Sequence, residues 1–382
     1  MIERMDALML PLNWQRVRLG DICEIVKGQQ INKISLNNTD KYPVINGGID
    51  FLGYTNKFNV SKNTIAISEG GTCGYVRFMT SNFWSGGHNY SLQKISNKVN
   101  NLCLYHILKS YEKDIMKLGV GSGLKNIQLK ALKDFEIPLP PLNEQIAIAN
   151  ILSGLDRYLY ALDALILKKE GVKKALSFEL LSQRKRLKGF NQAWKKVRLG
   201  DIANYLTSNL SAEQITQQGK IKVYDVNNFI GYTDTTFISD KPYISIVKDG
   251  SVGRVRILPP KTNILSTMGA LVANHKTTTE FLFYLLSNFD FKNFTSGSII
   301  PHIYFKDYKE KTIFLPSLNE QIAIANILSA LDNEIISLKN KKRQFENIKK
   351  ALNHDLMSAK IRILKKLTPQ KLKANPLFKG NP

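Results

Sequence analysis

Leu142-Asn-Glu-Gln-Ile-Ala-Ile-Ala-Asn-Ile-Leu-Ser153 returns without a change as the stretch from Leu318 to Ser329, 176 residues further on. The same offset carries Lys173-Lys-Ala-Leu176 onto Lys349-Lys-Ala-Leu352, so no insertion separates the copies. A repeat of this length makes the chain two copies of one unit. Apolar residues inside it step by three and four: Leu152, Leu155, Leu159, Leu162 and Ile166, answered by Leu328, Leu331, Ile335 and Leu338. That spacing is a coiled-coil seam. The seam weakens at Lys169 and Lys173, and at Lys342 and Lys349; it resumes at Leu176 and Leu180, and at Leu352 and Leu356. Pro140-Pro141 and Pro316 punctuate the entrances, and Ser317-Leu-Asn-Glu320 predicts a capping box at the second. Pro141 stands where the second copy has Ser317, so the first keeps only the proline signal. A first helix over 143–187 would be roughly 65 Å long at ~1.5 Å per residue. Its apolar stripe needs a partner, and the other copy is the obvious one.

The repeat reaches outward from the helices. Trp14-Gln-Arg-Val-Arg-Leu-Gly-Asp-Ile22 is answered by Trp194-Lys-Lys-Val-Arg-Leu-Gly-Asp-Ile202, a short strand, a turn, and a short helix that Asp21 or Asp201 would cap. Between this motif and each helix the copies diverge around landmarks. Gly53-Tyr-Thr55 matches Gly231-Tyr-Thr233, and Gly121-Ser122 matches Gly297-Ser298. Glu69-Gly-Gly-Thr-Cys-Gly-Tyr-Val-Arg77 matches Lys248-Asp-Gly-Ser-Val-Gly-Arg-Val-Arg256. Short β-rich runs and helical stretches at 101–113 and 279–288 make each unit α+β with a twisted sheet. Five segments follow: globular regions at 1–140 and 191–315, helices at 141–190 and 316–368 with Gly189 as C-cap of the first, and a basic tail at 369–382.

Lys plus Arg outnumber Asp plus Glu by 54 to 31, a formal charge of +23, which favours a polyanion, nucleic acid before membrane surface. Three cysteines without metal spacing fit a reducing cytosol, and neither a signal peptide nor a membrane-length apolar run is present, so a cytoplasmic location is expected. No phosphate-binding loop, no Asn/Asp-Pro-Pro-Tyr/Phe methylation motif and no Pro-Asp nuclease dipeptide occurs, and the five histidines stand alone. Nothing asks for catalysis, a metal or a cofactor in this chain.

Candidate DNA contacts are polar and cluster near glycines. Arg77, Arg254 and Arg256 follow the Gly-rich loops, which would let backbone approach phosphate; Arg also pairs bidentately with guanine. A plain turn with solvated arginines competes with that reading. Lys27, Gln29, Gln30, Asn32 and Lys33 form a basic, amide-rich stretch suited to adenine, and Thr207, Ser208 and Asn209 stand opposite with different chemistry; here an ordinary loop competes. His88 and Asn89 are placed against His275, while Lys125 and His302 follow the Gly-Ser turns.

With these residues assembled, the chain resembles the specificity subunit of type I restriction–modification systems. The resemblance rests on Trp-x-x-Val-Arg-Leu-Gly-Asp-Ile opening each half, on Ile137-Pro-Leu-Pro-Pro-Leu-Asn-Glu-Gln145 and Phe314-Leu-Pro-Ser-Leu-Asn-Glu-Gln321, and on the duplicated order; it spans nearly the whole chain. It implies two target-recognition domains separated by two long antiparallel coiled-coil helices, each domain reading half of an asymmetric bipartite site on double-stranded DNA. The helix entrances (Leu142, Glu144 and Gln145; Leu318, Glu320 and Gln321) would belong to the docking surface for two methyltransferase subunits. Those partners would carry S-adenosylmethionine and adenine-N6 catalysis; restriction/translocase subunits would add ATP, Mg and cleavage. The alternative is a stand-alone DNA-binding regulator with duplicated domains, and a third reading is an enzyme of unrecognised type.

Overall fold

A computed structural model describes residues 13–357. Residues 1–12, the expected last turns of the second helix toward Leu367 and the basic tail at 369–382 lie outside the described residues. The chain forms two compact units: residues 1–162 with 341–382, and residues 163–340.

In the first unit the strand Gln15–Arg18 pairs antiparallel with Glu136–Leu139, so the repeated opening motif lies beside the end of the globular segment. Four antiparallel strands form the main sheet, in the order Glu24–Lys27, Asn89–Gln93, Thr64–Ser68, Val76–Met79. Thr64-Ile-Ala-Ile-Ser68 is β-branched and nearly all buried, as a strand covered on both faces must be. The helix Asn101–Ser110 packs on this sheet through Cys103, Leu104, Ile107 and Leu108. A smaller sheet holds Gly53–Thr55, Tyr42–Ile45 and Trp84–Ser85, and a hairpin joins Gly119–Val120 to Asn126–Ile127.

The second unit repeats this topology. Lys195–Arg198 pairs with Thr312–Leu315. The four-stranded order is Ala203–Thr207, Met268–Ala273, Tyr243–Val247, Val255–Leu258, with Tyr243–Val247 buried throughout. Its hairpin is Thr295–Ser296 with His302–Ile303.

Two helices of 40 residues, Leu142–Leu181 and Leu318–Met357, supply both units. The first unit's core contains Ile148, Ala149 and Leu152 from the start of one helix, and Leu356 and Met357 from the end of the other. In the second unit Ile324, Ala325 and Leu328 meet Leu180 in the same way. Within each unit the halves run antiparallel, and the seam lysines are paired rather than solvated. Lys349 bonds Asp156 in the first unit; Lys173 meets Asp332 at 2.5 Å and Lys169 meets Glu334 at 2.8 Å in the second.

Three local expectations need correction. The first helix ends at Leu181, well before Gly189. Gln183 takes the left-handed conformation (φ 63°), and the N–H of Lys185 bonds the carbonyl of Glu179 six residues back, so a left-handed glutamine turns the chain out of the helix. The capping box is half made: the Glu320 N–H reaches Ser317 Oγ at 3.5 Å, while the Glu320 carboxylate is used elsewhere. Asp201 does not occupy the cap position; it sits one turn in and accepts from the Arg198 backbone N–H at 3.3 Å.

Candidate nucleic-acid interface

Each helix entrance is locked to its own globular segment. Trp14 Nε1 donates to Glu144 Oε2 at 3.2 Å, and Trp194 Nε1 donates to Glu320 Oε2 at 3.1 Å. Gln145 donates to the carbonyls of Pro140 (2.7 Å) and Lys98 (3.2 Å) and accepts from the Asn100 N–H (2.7 Å). Gln321 donates to Pro316 and Lys276, both at 3.0 Å, and accepts from the Thr278 N–H at 3.0 Å. In the second unit Arg186 also grips Glu320, at 3.0 and 2.7 Å. Glu144, Gln145, Glu320 and Gln321 are all buried, so they are not docking residues: a side chain whose polar atoms are spent inside its own unit has none to offer a partner. The repeated Trp and Glu-Gln motifs are thus two sides of one junction. Leu142 and Leu318 remain exposed, at 40% and 44%.

The polar candidates of the first unit converge on one end of the main sheet. Lys27 lies opposite Tyr90 and Ser68 opposite Asn89, so the loops leaving Lys27, Ser68 and entering Asn89 share an edge. The Ile127 N–H bonds the Glu69 carbonyl at 2.9 Å and adds the hairpin to this edge. Lys27 Nζ meets Glu69 Oε1 at 2.7 Å, and Tyr90 OH donates to the same oxygen at 3.1 Å. Burial, then the Glu69 charge, pushes the Tyr90 phenol up to about 12. Glu69 Oε2 is buried without a hydrogen-bond partner. Gln29, Gln30, Lys33, His88 and Lys125 are exposed around this cluster. Asn32 is exposed too, but its carboxamide oxygen caps the turn at Ile34 (3.0 Å). Asn89 is 2% exposed and accepts from Ser68, so it is scaffold rather than a surface contact. Arg77 lies half-buried over the rings of Phe51 and Tyr75 at 4.8 and 5.4 Å, opposite Ala66 in the adjoining strand.

The second unit brings equivalent backbone to the equivalent edge with other side chains. Thr207 lies opposite Gly269 and Val247 opposite Met268. The Ile303 N–H bonds the Lys248 carbonyl at 2.9 Å, matching Ile127 on Glu69. Lys248 therefore occupies the Glu69 position and Gly269 that of Tyr90. Beside them His302 Nδ1 pairs with Asp249 Oδ1 at 2.6 Å. Thr207 and Asn209 are exposed on an open cavity of about 350 Å³, lined also by Thr235, Thr236, Phe237 and Ile238; Ser208 is buried and accepts from the Leu210 N–H. Arg254 is exposed, whereas Arg256 donates to the Asn227 carbonyl at 2.8 Å and lies over Tyr224, bracing a loop. His275 follows the C-terminal end of the strand Met268–Ala273, and His88 precedes the N-terminal end of Asn89–Gln93; the two lie at opposite ends of matching strands, not at comparable places.

The glycines are also partly structural. Gly74 (φ +85°) and Gly253 (φ +78°) sit so close to Met116 and Phe291 that a Cβ would lie 2.7 and 2.6 Å from them. Packing, not phosphate, requires glycine there. Glu69, Tyr90 and Asp249 were missing from the sequence candidates; the reversal of charge from Glu69 to Lys248 at matched positions of the Gly-rich block was the available signal. Among the described residues no group of three or more His, Cys, Asp or Glu could hold a metal, and no helix is long and apolar enough to cross a membrane.

The family model for the type I restriction modification DNA specificity domain matches residues 11–169 and again 191–347. A type I specificity subunit of Mycoplasma genitalium is 33% identical over 259 residues, covering 64% of this chain and 67% of that protein. A type I restriction enzyme specificity subunit of Methanocaldococcus jannaschii is 24% identical over 408 residues, covering 94% of this chain and 96% of its own. The crystal structure of a type I restriction–modification S subunit from M. genitalium superposes with a TM-score of 0.71 at 27% identity, over 91% of this chain and 98% of that one. Two matches of one domain model, in the two halves that carry the two junctions, establish that the chain belongs to the type I restriction–modification DNA specificity subunit family.

Proposed function

We propose that each unit reads one half of an asymmetric, bipartite site on double-stranded DNA, and that the two long helices set the unread gap between the halves. The observation that carries this is the contrast between identical junctions and different sheet edges: the same scaffold presents Lys27, Glu69 and Tyr90 in one unit and Thr207, Lys248 and Gly269 in the other. The recognition domains are assigned to 1–140 and 191–315 and the spacer helices to 141–190 and 316–368. The contacts come from the exposed set, above all Gln29, Gln30, Lys33, His88 and Lys125 in one unit and Thr207, Asn209 and Arg254 in the other, with the half-buried His302 beside them. Lysine and arginine elsewhere add sequence-independent attraction.

Two copies of one methyltransferase subunit dock on the helix entrances. Leu142 and Ile146, at 40% and 44% exposure, recur as Leu318 and Ile322 at 44% and 46%, so one apolar patch is offered twice. The chain itself is non-catalytic; S-adenosylmethionine belongs to the methyltransferase, and ATP and Mg to restriction/translocase subunits. Adenine-methylation mapping in cells carrying this chain and its neighbouring methyltransferase, against cells lacking the chain, tests the reading. A split motif that depends on the chain is expected. An unchanged methylation pattern, with specific binding by the purified chain alone, would instead identify a stand-alone regulator.

A further inference from the structure

Both hairpins end in apolar side chains held out in solvent. Leu124 is 80% exposed in the first unit, and Ile299 and Ile300 are 92% and 55% exposed in the second. Single exposed apolar residues are ordinary. These recur at the same place in both units, although the two tips share little beyond Gly-Ser. The tips also share a conformation: Gly121 (φ +133°) and Gly297 (φ +90°) lie against the carbonyls of Leu124 and Ile300, where a Cβ would stand at 2.4 and 2.3 Å. Each hairpin is fixed at its base to the sheet edge, by Ile127 on Glu69 and by Ile303 on Lys248.

The charge around the tips points to the occupant. Residues 115–133 contain Lys117, Lys125, Lys130 and Lys133 and no acid; residues 291–306 contain Lys292, His302 and Lys306 and no acid. The two carboxylates at the hairpin bases are already engaged, Glu69 by Lys27 and Asp249 by His302. Each tip therefore stands in a stretch of net positive charge, which attracts a polyanion.

We infer that Leu124 and the Ile299–Ile300 pair are apolar wedges that enter the DNA base stack, one in each half-site. The inference rests on the half-site reading above. A wedge partly unstacks one base step and is repaid by the closer fit of the kinked duplex around the protein.

The test uses the full chain with its methyltransferase and a duplex bearing the mapped split motif, with a fluorescent adenine analogue that brightens on unstacking placed at successive steps. Binding of the unaltered chain is expected to give a several-fold rise at one step in each half-site. Leu124→Ala should abolish the rise in one half-site only, and the Ile299→Ala, Ile300→Ala double variant in the other only, each with a roughly tenfold loss of affinity, the size of one mismatched base pair. Both sites are solvent-exposed, so the variants keep the fold. No rise at any step overturns the wedge. Sensitivity to replacing thymine by uracil, without unstacking, also overturns it, in favour of a methyl contact. Loss of methyltransferase co-purification, with DNA binding intact, overturns it in favour of a protein surface. Absence of any split motif with the unaltered chain contradicts the half-site reading itself; a split motif with silent tips contradicts the wedge alone.

Discussion

At the junctions the two units share one set of hydrogen bonds: Trp14 donates to Glu144 as Trp194 does to Glu320, and Gln145 and Gln321 close the same three-way clasp. At the sheet edges they part. The backbone bond from Ile127 to Glu69 is kept as Ile303 to Lys248, but a carboxylate has become an ammonium. One repeat therefore meets two different physical requirements. The junction must hold a rigid helix against a sheet, so every buried polar atom needs its partner. The edge has only to keep its backbone in register, and its side chains are open to change.

The same contrast runs along the helices, where identical sequence meets different neighbours. Asp156 and Asp332 both take a lysine of the opposite helix. Against Ser153 the first unit packs His106; at the matching place the second packs Tyr284, whose hydroxyl donates to Asp332 at 2.8 Å. Where the first unit packs Tyr158 at a tilt against Phe345 with ring centres 4.6 Å apart, the second pairs Lys169 with Glu334.

The largest expected effect lies at the junction. Glu320→Ala leaves Arg186 and the Trp194 N–H without their acceptor and should cost the second unit about 3 kcal/mol, the range for breaking a buried pair from one side. Hydrogen exchange should speed up in Thr279–Ser287 and leave Asn101–Ser110 unchanged. Equal loosening of both helices would mean the units do not have separate junctions.

His106 gives the next. Burial lowers its imidazole to about 4, against the opposing pull of Asp156. The folded value lies below the unfolded one, so the contribution is complete above about 6.5 and is lost as pH falls toward about 4, up to roughly 3 kcal/mol. Exchange protection of Asn101–Ser110 should fall across that window while Thr279–Ser287, with Tyr284 in place of the histidine, holds. His106→Gln should flatten the difference; a window that persists in this variant would put the titration elsewhere.

Smaller effects sharpen the comparison along the helices. Asp332→Asn should cost about 1 kcal/mol, because the Lys173 pair is part-exposed, although Tyr284 also loses a charged acceptor. Raising salt should weaken Lys169 with Glu334 by a few tenths of a kcal/mol and leave Tyr158 on Phe345 untouched, as paired Lys169→Ala and Tyr158→Ala melting curves at low and high salt would show. An equal salt response in both would remove the electrostatic distinction.

The repeat made the helices legible because its apolar positions keep a seam: Leu152, Leu162, Leu180, Leu328, Ile335 and Leu356 are all buried. Lys169, Lys173 and Lys349 read as a weakness because their acids, Glu334, Asp332 and Asp156, lie on the other copy and no local spacing links them. Glu144 and Glu320 read as docking residues for the same reason: their tryptophans lie more than a hundred positions away. At the edges, residue type suggested Lys27, Lys125 and Arg254, but exposure is decided by register. Only the pairing of Ser68 with Asn89 buries the latter, and only the strand ends separate His88 from His275.

The most direct test of the central claim, that each sheet edge reads its own half-site, is adenine-methylation mapping with the chain carrying Gln30→Ala and Lys125→Ala together. Both side chains are exposed on the first unit's edge. One half of the split motif should relax or lose methylation while the other half and the gap stay as they are. A change in both halves alike, or in the gap, would contradict the account.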